Sequence, residues 1–124
     1  MERAVFGASE FFSKEAITGF RGIECVRLGH LRGANVEIVE IWFNPWKVTY
    51  TELLELFFDL HDATCREGHR NKNQSLIFFS DIHQLSVAKQ KKNELNNTFK
   101  DEIITEITPI REHINSLEAI KLIS

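Results

Sequence analysis

Cysteine is scarce in this 124-residue chain, which has only two, Cys25 and Cys65. Their separation matches no metal-ligand spacing, and two thiols make no disulfide framework. Neither a zinc module nor a disulfide-stapled secreted scaffold is therefore expected, and no metal or other cofactor is predicted. Excess positive charge is also missing. Fifteen Lys and Arg against eighteen Asp and Glu leave a net charge of −3, so nothing draws the chain to nucleic acid. The basic cluster Lys89, Lys91 and Lys92 reads as the solvated surface of a helix. No apolar run approaches the ~20 residues that span a bilayer, and the N-terminus lacks the apolar segment of a signal peptide. No membrane partner is expected, and a cytoplasmic location is the default. Repeats, linkers and low-complexity stretches are absent as well. What remains is ordinary globular material, 43% hydrophobic and 27% charged, enough for one modest core in a single domain over residues 1–124. Oligomeric state is not legible.

The stretch that organises the rest is Arg3 to Glu15, RAVFGASEFFSKE. Arg3 to Ala8 has β character, Gly7 and Ala8 are small residues at a bend, and Ser9 suits a helix cap. Glu10 to Phe20 then reads as a helix. Glu10 accordingly sits in a helical first turn just past the end of a strand. There a carboxylate is favoured by the positive helix end, and in α/β architectures ligands also gather there.

Gly19 and Gly22 bracket a turn. Ile23 to Leu28 alternates, and Gly29 to Gly33 reads as a glycine-rich turn. Ala34 to Phe43 is the clearest strand, ending at Asn44-Pro45. One of its faces carries Val36, Ile38, Glu40 and Trp42, and the other carries Glu37, Val39, Ile41 and Phe43. Glu37 thus shares a face with three apolar side chains, which marks it as an edge residue or a working one. Thr51 is the expected cap of a helix from Glu52 to about His61, with Leu53, Leu54, Phe57, Phe58 and Leu60 as its apolar stripe. His61 to Asn73 reads as a polar loop and Ser75 to Phe79 as a buried strand. Asp81 should cap a long helix to about Asn96, with Leu85, Val87 and Ala88 inward. Ile103 to Ile107 makes a further strand, ended by Pro109. The tail from Ile110 to Ile123 shows weak helical periodicity through Ile114, Leu117 and Ile120. The order β-α-β-β-α-β-α-β plus tail suits an α+β two-layer sandwich with a mixed sheet and helices.

Several of these stretches, in this order, resemble the A-class peptide methionine sulfoxide reductases (MsrA). Phe6-Gly7-Ala8-Ser9-Glu10-Phe11-Phe12 is similar to that family's strand and Gly-Cys-Phe-Trp signature. Asn35 to Ile41 resembles its His-Ala-Glu-Val-Val-Glu-Val strand, followed by Phe43-Asn44-Pro45. Val48 to Asp62 resembles its helix ending in His-Asp-Pro-Thr, here His61-Asp62-Ala63-Thr64. Gln74 to Phe79 and Thr105-Glu106-Ile107 resemble its two later strands. The resemblance implies an MsrA-like (ferredoxin-like) architecture in which Ala34 to Phe43 is central.

The resemblance also implies how the site departs from the family. Glu10 stands where the nucleophilic cysteine belongs, while Phe11 and Phe12 occupy the aromatic pair that cradles a methyl group. His30 replaces a tyrosine, and Glu37 retains the acid. Between Cys65 and Gln74 the segment is shortened and has no tyrosine; Asn73 falls about where one is expected. Arg111 to Glu118 offers no clear counterpart of the family's tail motif. A carboxylate has no redox chemistry, so Glu10 cannot do the work of a thiolate.

Several readings follow. In the first, the chain is a pseudoenzyme whose anionic, aromatic pocket (Glu10, Glu37, Phe11, Phe12, His30) binds a small or methylated cation, or a methionine-containing ligand. In a second, Glu10 and Glu37 form an acid/base pair in an enzyme of another class. Adding His30 sketches a small metal site without a spacing motif behind it. In a third, Cys65 has taken over as the nucleophile of a reductase. A last reading keeps the scaffold as an interaction protein without a pocket. Cys25, within a strand, reads as a small apolar filler. His61, His69, His83 and His113 read as structural or exposed.

Overall fold

The structure is a computed structural model that describes residues 2–8, 14–30, 36–60, 75–98, 103–110 and 118–123. For Lys14, Glu15, His30 and residues 118–123 it describes the backbone alone. In chain order the elements are β1 (Glu2–Ala8), α1 (Lys14–Thr18), β2 (Ile23–His30), β3 (Glu37–Phe43), α2 (Tyr50–Leu60), β4 (Ser75–Phe79), α3 (Ile82–Thr98), β5 (Glu106–Pro109) and β6 (Glu118–Ile123). The strands form one six-stranded sheet in the order β5-β4-β1-β3-β2-β6. Only β4 and β5 run parallel, across the α3 crossover; the other neighbours are antiparallel. The mixed α+β sheet expected from the sequence is therefore present, with β3 inside it.

Alternation along β1 and β3 decides which face each side chain serves. Ala4, Phe6 and Ala8 share the main core with Val39, Ile41 and Phe43, closed by Ile17 of α1, Leu53, Leu54 and Phe57 of α2 and Ala88 of α3. The helices thus lie on one face. Val5, Val36, Ile38 and Phe78 form a smaller cluster on the other, with Leu76 and Ile110 against it. Gly7 is needed on that second face, since a Cβ there would come within 2.8 Å of Ile38 Cδ1.

Glu40 pins the register of three strands. It is 7% exposed and takes Arg3 of β1 at 3.2 Å and Arg27 of β2 at 3.2 Å. The Trp42 indole N–H donates to it at 3.3 Å. A slip of β1 or β2 by one residue would send the arginine to the opposite face.

Four expectations need correction. The cap of α2 is Thr49, not Thr51. Thr49 Oγ1 accepts from the Glu52 N–H at 3.1 Å, and Glu52 Oε1 accepts from the Thr49 N–H at 3.1 Å, a reciprocal capping box. The second of these bonds, from the Thr49 backbone, and then the Arg21 guanidinium hold the Glu52 carboxyl below the ordinary glutamate range. Gly29 and His30 continue β2 rather than turning, because β3 and β6 supply partners on both sides. The strand placed at Ile103 to Ile107 lies at Glu106–Pro109; Pro109 ends an edge strand, where the missing N–H costs no ladder bond. The tail is strand, not helix. The open edge of β2 offers unpaired backbone groups along its length, and pairing with them outweighs a weak helical period.

Asp81 does cap α3, accepting from the Gln84 N–H at 2.8 Å. Gln84, absent from the expected inward stripe, is 2% exposed. Its Oε1 accepts from the Ser80 N–H, and its Nε2 donates to the Arg3 carbonyl at 2.8 Å. Both halves of the amide are thus satisfied, so its burial costs little.

Tyr50, the chain's single tyrosine, is buried with a hydroxyl that finds no partner among the described residues. Burial, and then the charge of Asp81, push its phenol well above the ordinary 10.0. Two outcomes follow. Tyr50→Phe should raise stability by about 1 kcal/mol in urea melts, since an unpartnered polar group leaves the core. In alkali the native state holds the neutral phenol while the unfolded chain ionises near its ordinary value. Stability from Tyr50 is therefore full below that value and lost as pH rises above it. Phenolate absorbance should appear only as the chain unfolds; absorbance rising before unfolding would contradict the burial.

Candidate functional site

The backbone brings the candidate positions to one end of the sheet. Ala8 is paired with Ser75 of β4 on one side and with Glu37 of β3 on the other. Glu37 in turn faces His30 of β2, and His30 faces Glu118 of β6. Ser75, Ala8, Glu37, His30 and Glu118 therefore make one row across five strands, on the face that carries the helices. Directly opposed residues in such rows have Cβ atoms about 4.5–5.5 Å apart.

Glu37 is half-buried in this row, with partners of its own. One pair further along the same face lie Phe6 and Val39, and behind them the sheet and α2 leave an apolar slot. Phe6, Ile17, Val39, Ile41, Leu53 and Phe57 contribute to its lining, around about 190 Å³ of empty space that is partly open to solvent. Its enclosed part has room for about one methyl-sized group. At the opposite end of the row, Ser75 Oγ and Thr105 Oγ1 share a buried hydrogen bond of 2.8 Å. Glu37 thus stands one pair along the strand face from Val39, which lines the recess.

Glu10, Phe11 and Phe12 lie outside the described residues, as does Cys65. The backbone of β1 delivers the chain to that segment at Ala8, directly across from Glu37. Cys25 is not a candidate nucleophile. It pairs with Trp42 on the face opposite the helices, and it lies five strand positions from His30, roughly 17 Å at about 3.4 Å per residue. Among the described side chains no group of three His, Cys, Asp or Glu is gathered closely enough for a metal. No helix among the described residues is long and apolar enough to cross a membrane.

Two positions of the row were missed by sequence reasoning. Ser75 lies within the Gln74 to Phe79 strand stretch, where nothing in the sequence marks it as a site residue. Glu118 lies in a stretch whose sequence period is helical, and only the pairing of β6 with β2 puts it beside His30.

Residues 24–119 match the family model described as peptide methionine sulfoxide reductase. The chain belongs to the peptide methionine sulfoxide reductase family. Family membership rests on more than one relative. The chain is 31% identical to peptide methionine sulfoxide reductase MsrA 1 of Nostoc sp., over 95% of this chain and 86% of that protein. It is also 31% identical to MsrA of Methanothermobacter thermautotrophicus, over 87% and 77% respectively. A solved structure of Mxr1 from Saccharomyces cerevisiae in an unusual oxidized form superposes with a TM-score of 0.64 at 20% identity, covering 89% of this chain and 73% of that one. That likeness shows the MsrA-type fold. The matched family stretch begins at residue 24, so membership does not depend on the segment that holds Glu10.

Proposed function

We propose that this methionine sulfoxide reductase-like protein is not a reductase but a cytoplasmic binding module for a small methylated cation, a sulfonium or a quaternary or methylated ammonium. The observation that carries this reading is the half-buried Glu37 carboxylate one residue pair from an apolar slot of methyl size. A methylated cation presents both complements, a charge for the carboxylate and methyl groups for the recess. In the same reading Glu10 stands at the family's nucleophile position as a second counter-charge, and Phe11 and Phe12 supply aromatic walls. Reduction of a sulfoxide requires a thiolate that bonds to sulfur and later leaves in disulfide exchange, and Glu10 offers oxygen alone.

The test pairs turnover with thermal shift. Free and peptide-bound methionine sulfoxide, with a chemical reductant supplied, should give no turnover. Turnover abolished by Cys65→Ser would overturn the reading and identify a relocated nucleophile. Methylated sulfonium and ammonium compounds should raise the melting temperature, by roughly 10 °C at 100 times the dissociation constant, since about 2.7 kcal/mol is gained there. Glu10→Gln should abolish most of that shift. Neutral sugars or phosphates that shift the wild type while cations do not would end the cation reading. A Glu10→Gln variant that binds a substrate without turning it over would favour acid/base chemistry by the Glu10 and Glu37 pair.

A further inference from the structure

On the face of the sheet away from the helices, two arginines share one acid. Arg3 of β1 and Arg27 of β2 start two strand spacings apart, about 10 Å, yet both reach Glu40 of β3 between them. Arg3 Nη1 lies 3.2 Å from Oε2, and Arg27 Nη1 lies 3.2 Å from Oε1. The Arg3 guanidinium also sits over the Trp42 ring, 5.7 Å from its centroid, and the Trp42 N–H donates to Glu40 Oε1. A guanidinium stacked in this way is held in orientation before any ligand arrives.

The charges of this cluster do not balance. Two guanidiniums face one carboxylate, a surplus positive charge in a chain whose net charge is −3. That surplus can be reached from solvent. The Glu40 side chain is 9% exposed, against 28% for Arg3 and 46% for Arg27, and the two guanidiniums carry more N–H donors than one carboxylate can accept. We propose that Arg3 and Arg27, braced by Glu40 and Trp42, bind a second carboxylate, carried by a small acid or by a peptide C-terminus. Arginine pairs with a carboxylate in a planar, two-pronged geometry. One more negative charge neutralises the cluster, whereas a dianion would leave negative charge in excess beside the buried Glu40. The site lies on the other face of the sheet from Glu37 and uses none of residues 10–12, so it and the cation-binding reading can fail separately.

Sodium acetate titrated into the isotope-labelled full chain, at an ionic strength held constant with sodium chloride, tests it by nuclear magnetic resonance. The readout is the pair of indole N–H signals, told apart by Trp46→Phe. The Trp42 signal should move and saturate. Trp46, 94% exposed after the end of β3, is the internal control and should not move. Arg27→Gln should weaken acetate about fivefold or more, and Arg27→Lys, which keeps the charge but loses the fork, about twofold or more. Glu40→Gln, in which a neutral amide replaces the competing acid, should bind acetate more tightly; a cluster that only ties strands together predicts no gain. Signal dispersion shows which variants keep the fold. Arg27→Gln alters a half-exposed side chain and should keep it, so the Arg27 variants decide even if Glu40→Gln unfolds. N-acetylglycine binding several-fold tighter than acetate would assign the carboxylate to a peptide C-terminus, and equal binding to a small free acid. Absence of saturation overturns the proposal, as does a shift that sodium chloride alone reproduces. Tighter binding of sulfate than of acetate, or unchanged affinity in Arg27→Gln, overturns it too.

Discussion

Phe57→Ala is expected to lower the stability of the fold by about 3–5 kcal/mol, seen as a melting temperature reduced by roughly 10–20 °C. Phe57 is 2% exposed, and its ring stacks on Phe6 with centroids 4.6 Å apart and planes 14° from parallel. That pair packs α2 against the strand that carries the chain toward the site. Truncation would remove the aromatic contact and leave a cavity continuous with the slot beside Val39. The neighbouring Phe58 is only half-buried, so Phe58→Ala should cost clearly less. Equal losses at the two positions would mean that α2 packs on the sheet by another face.

Gly22→Ala should cost about 2–4 kcal/mol in the same measurement, a large effect for one methyl group. Gly22 has φ of +84°, a left-handed conformation that costs an L side chain about 1–2 kcal/mol. A Cβ there would also lie 2.8 Å from Val48 Cγ1 and 3.0 Å from Lys47 Cβ, an overlap of the kind that typically costs about 1–3 kcal/mol. The turn cannot easily move, because the Gly22 carbonyl accepts from the Asn44 N–H at 2.8 Å, tying the start of β2 to the end of β3. A variant with an unchanged urea midpoint would show that the turn adopts another conformation.

Much of the architecture could be read from local patterns, and the exceptions have different causes. The two faces of β3, the bounds of β4 and the Asp81 cap all depend on residues adjacent in sequence, where alternation and capping leave a direct trace. The α2 cap differed because Thr49 and Thr51 are both competent residues; Glu52, three places after Thr49, was the deciding signal and was there to be read. The β6 strand was not readable in the same way. Its partner lies almost a hundred residues upstream, and Ile114, Leu117 and Ile120 match a helical period better than an alternating one. At the site, Glu37 was legible as an acid among apolar neighbours on one strand face. The position of Glu118 depends on an inserted residue in a long-range pairing, and nothing local records it.

The order of the sheet also has a temporal side. β1 is made first yet lies inside, between β4 and β3. When the ribosome has released residue 43, β1, β3 and β2 can already form a three-stranded antiparallel sheet with β3 in the middle, tied by Arg3, Glu40 and Arg27. Ala8, Glu37 and His30 are then in register before any of α2 exists. At about 5–20 residues per second, β6 follows roughly 4–16 s later. During that interval the outer edge of β2 lacks the strand that will cover it, and a nascent chain is then most open to pairing with a neighbour. Glu118 arrives last, so the part of the row that β6 contributes is completed only when that edge is closed.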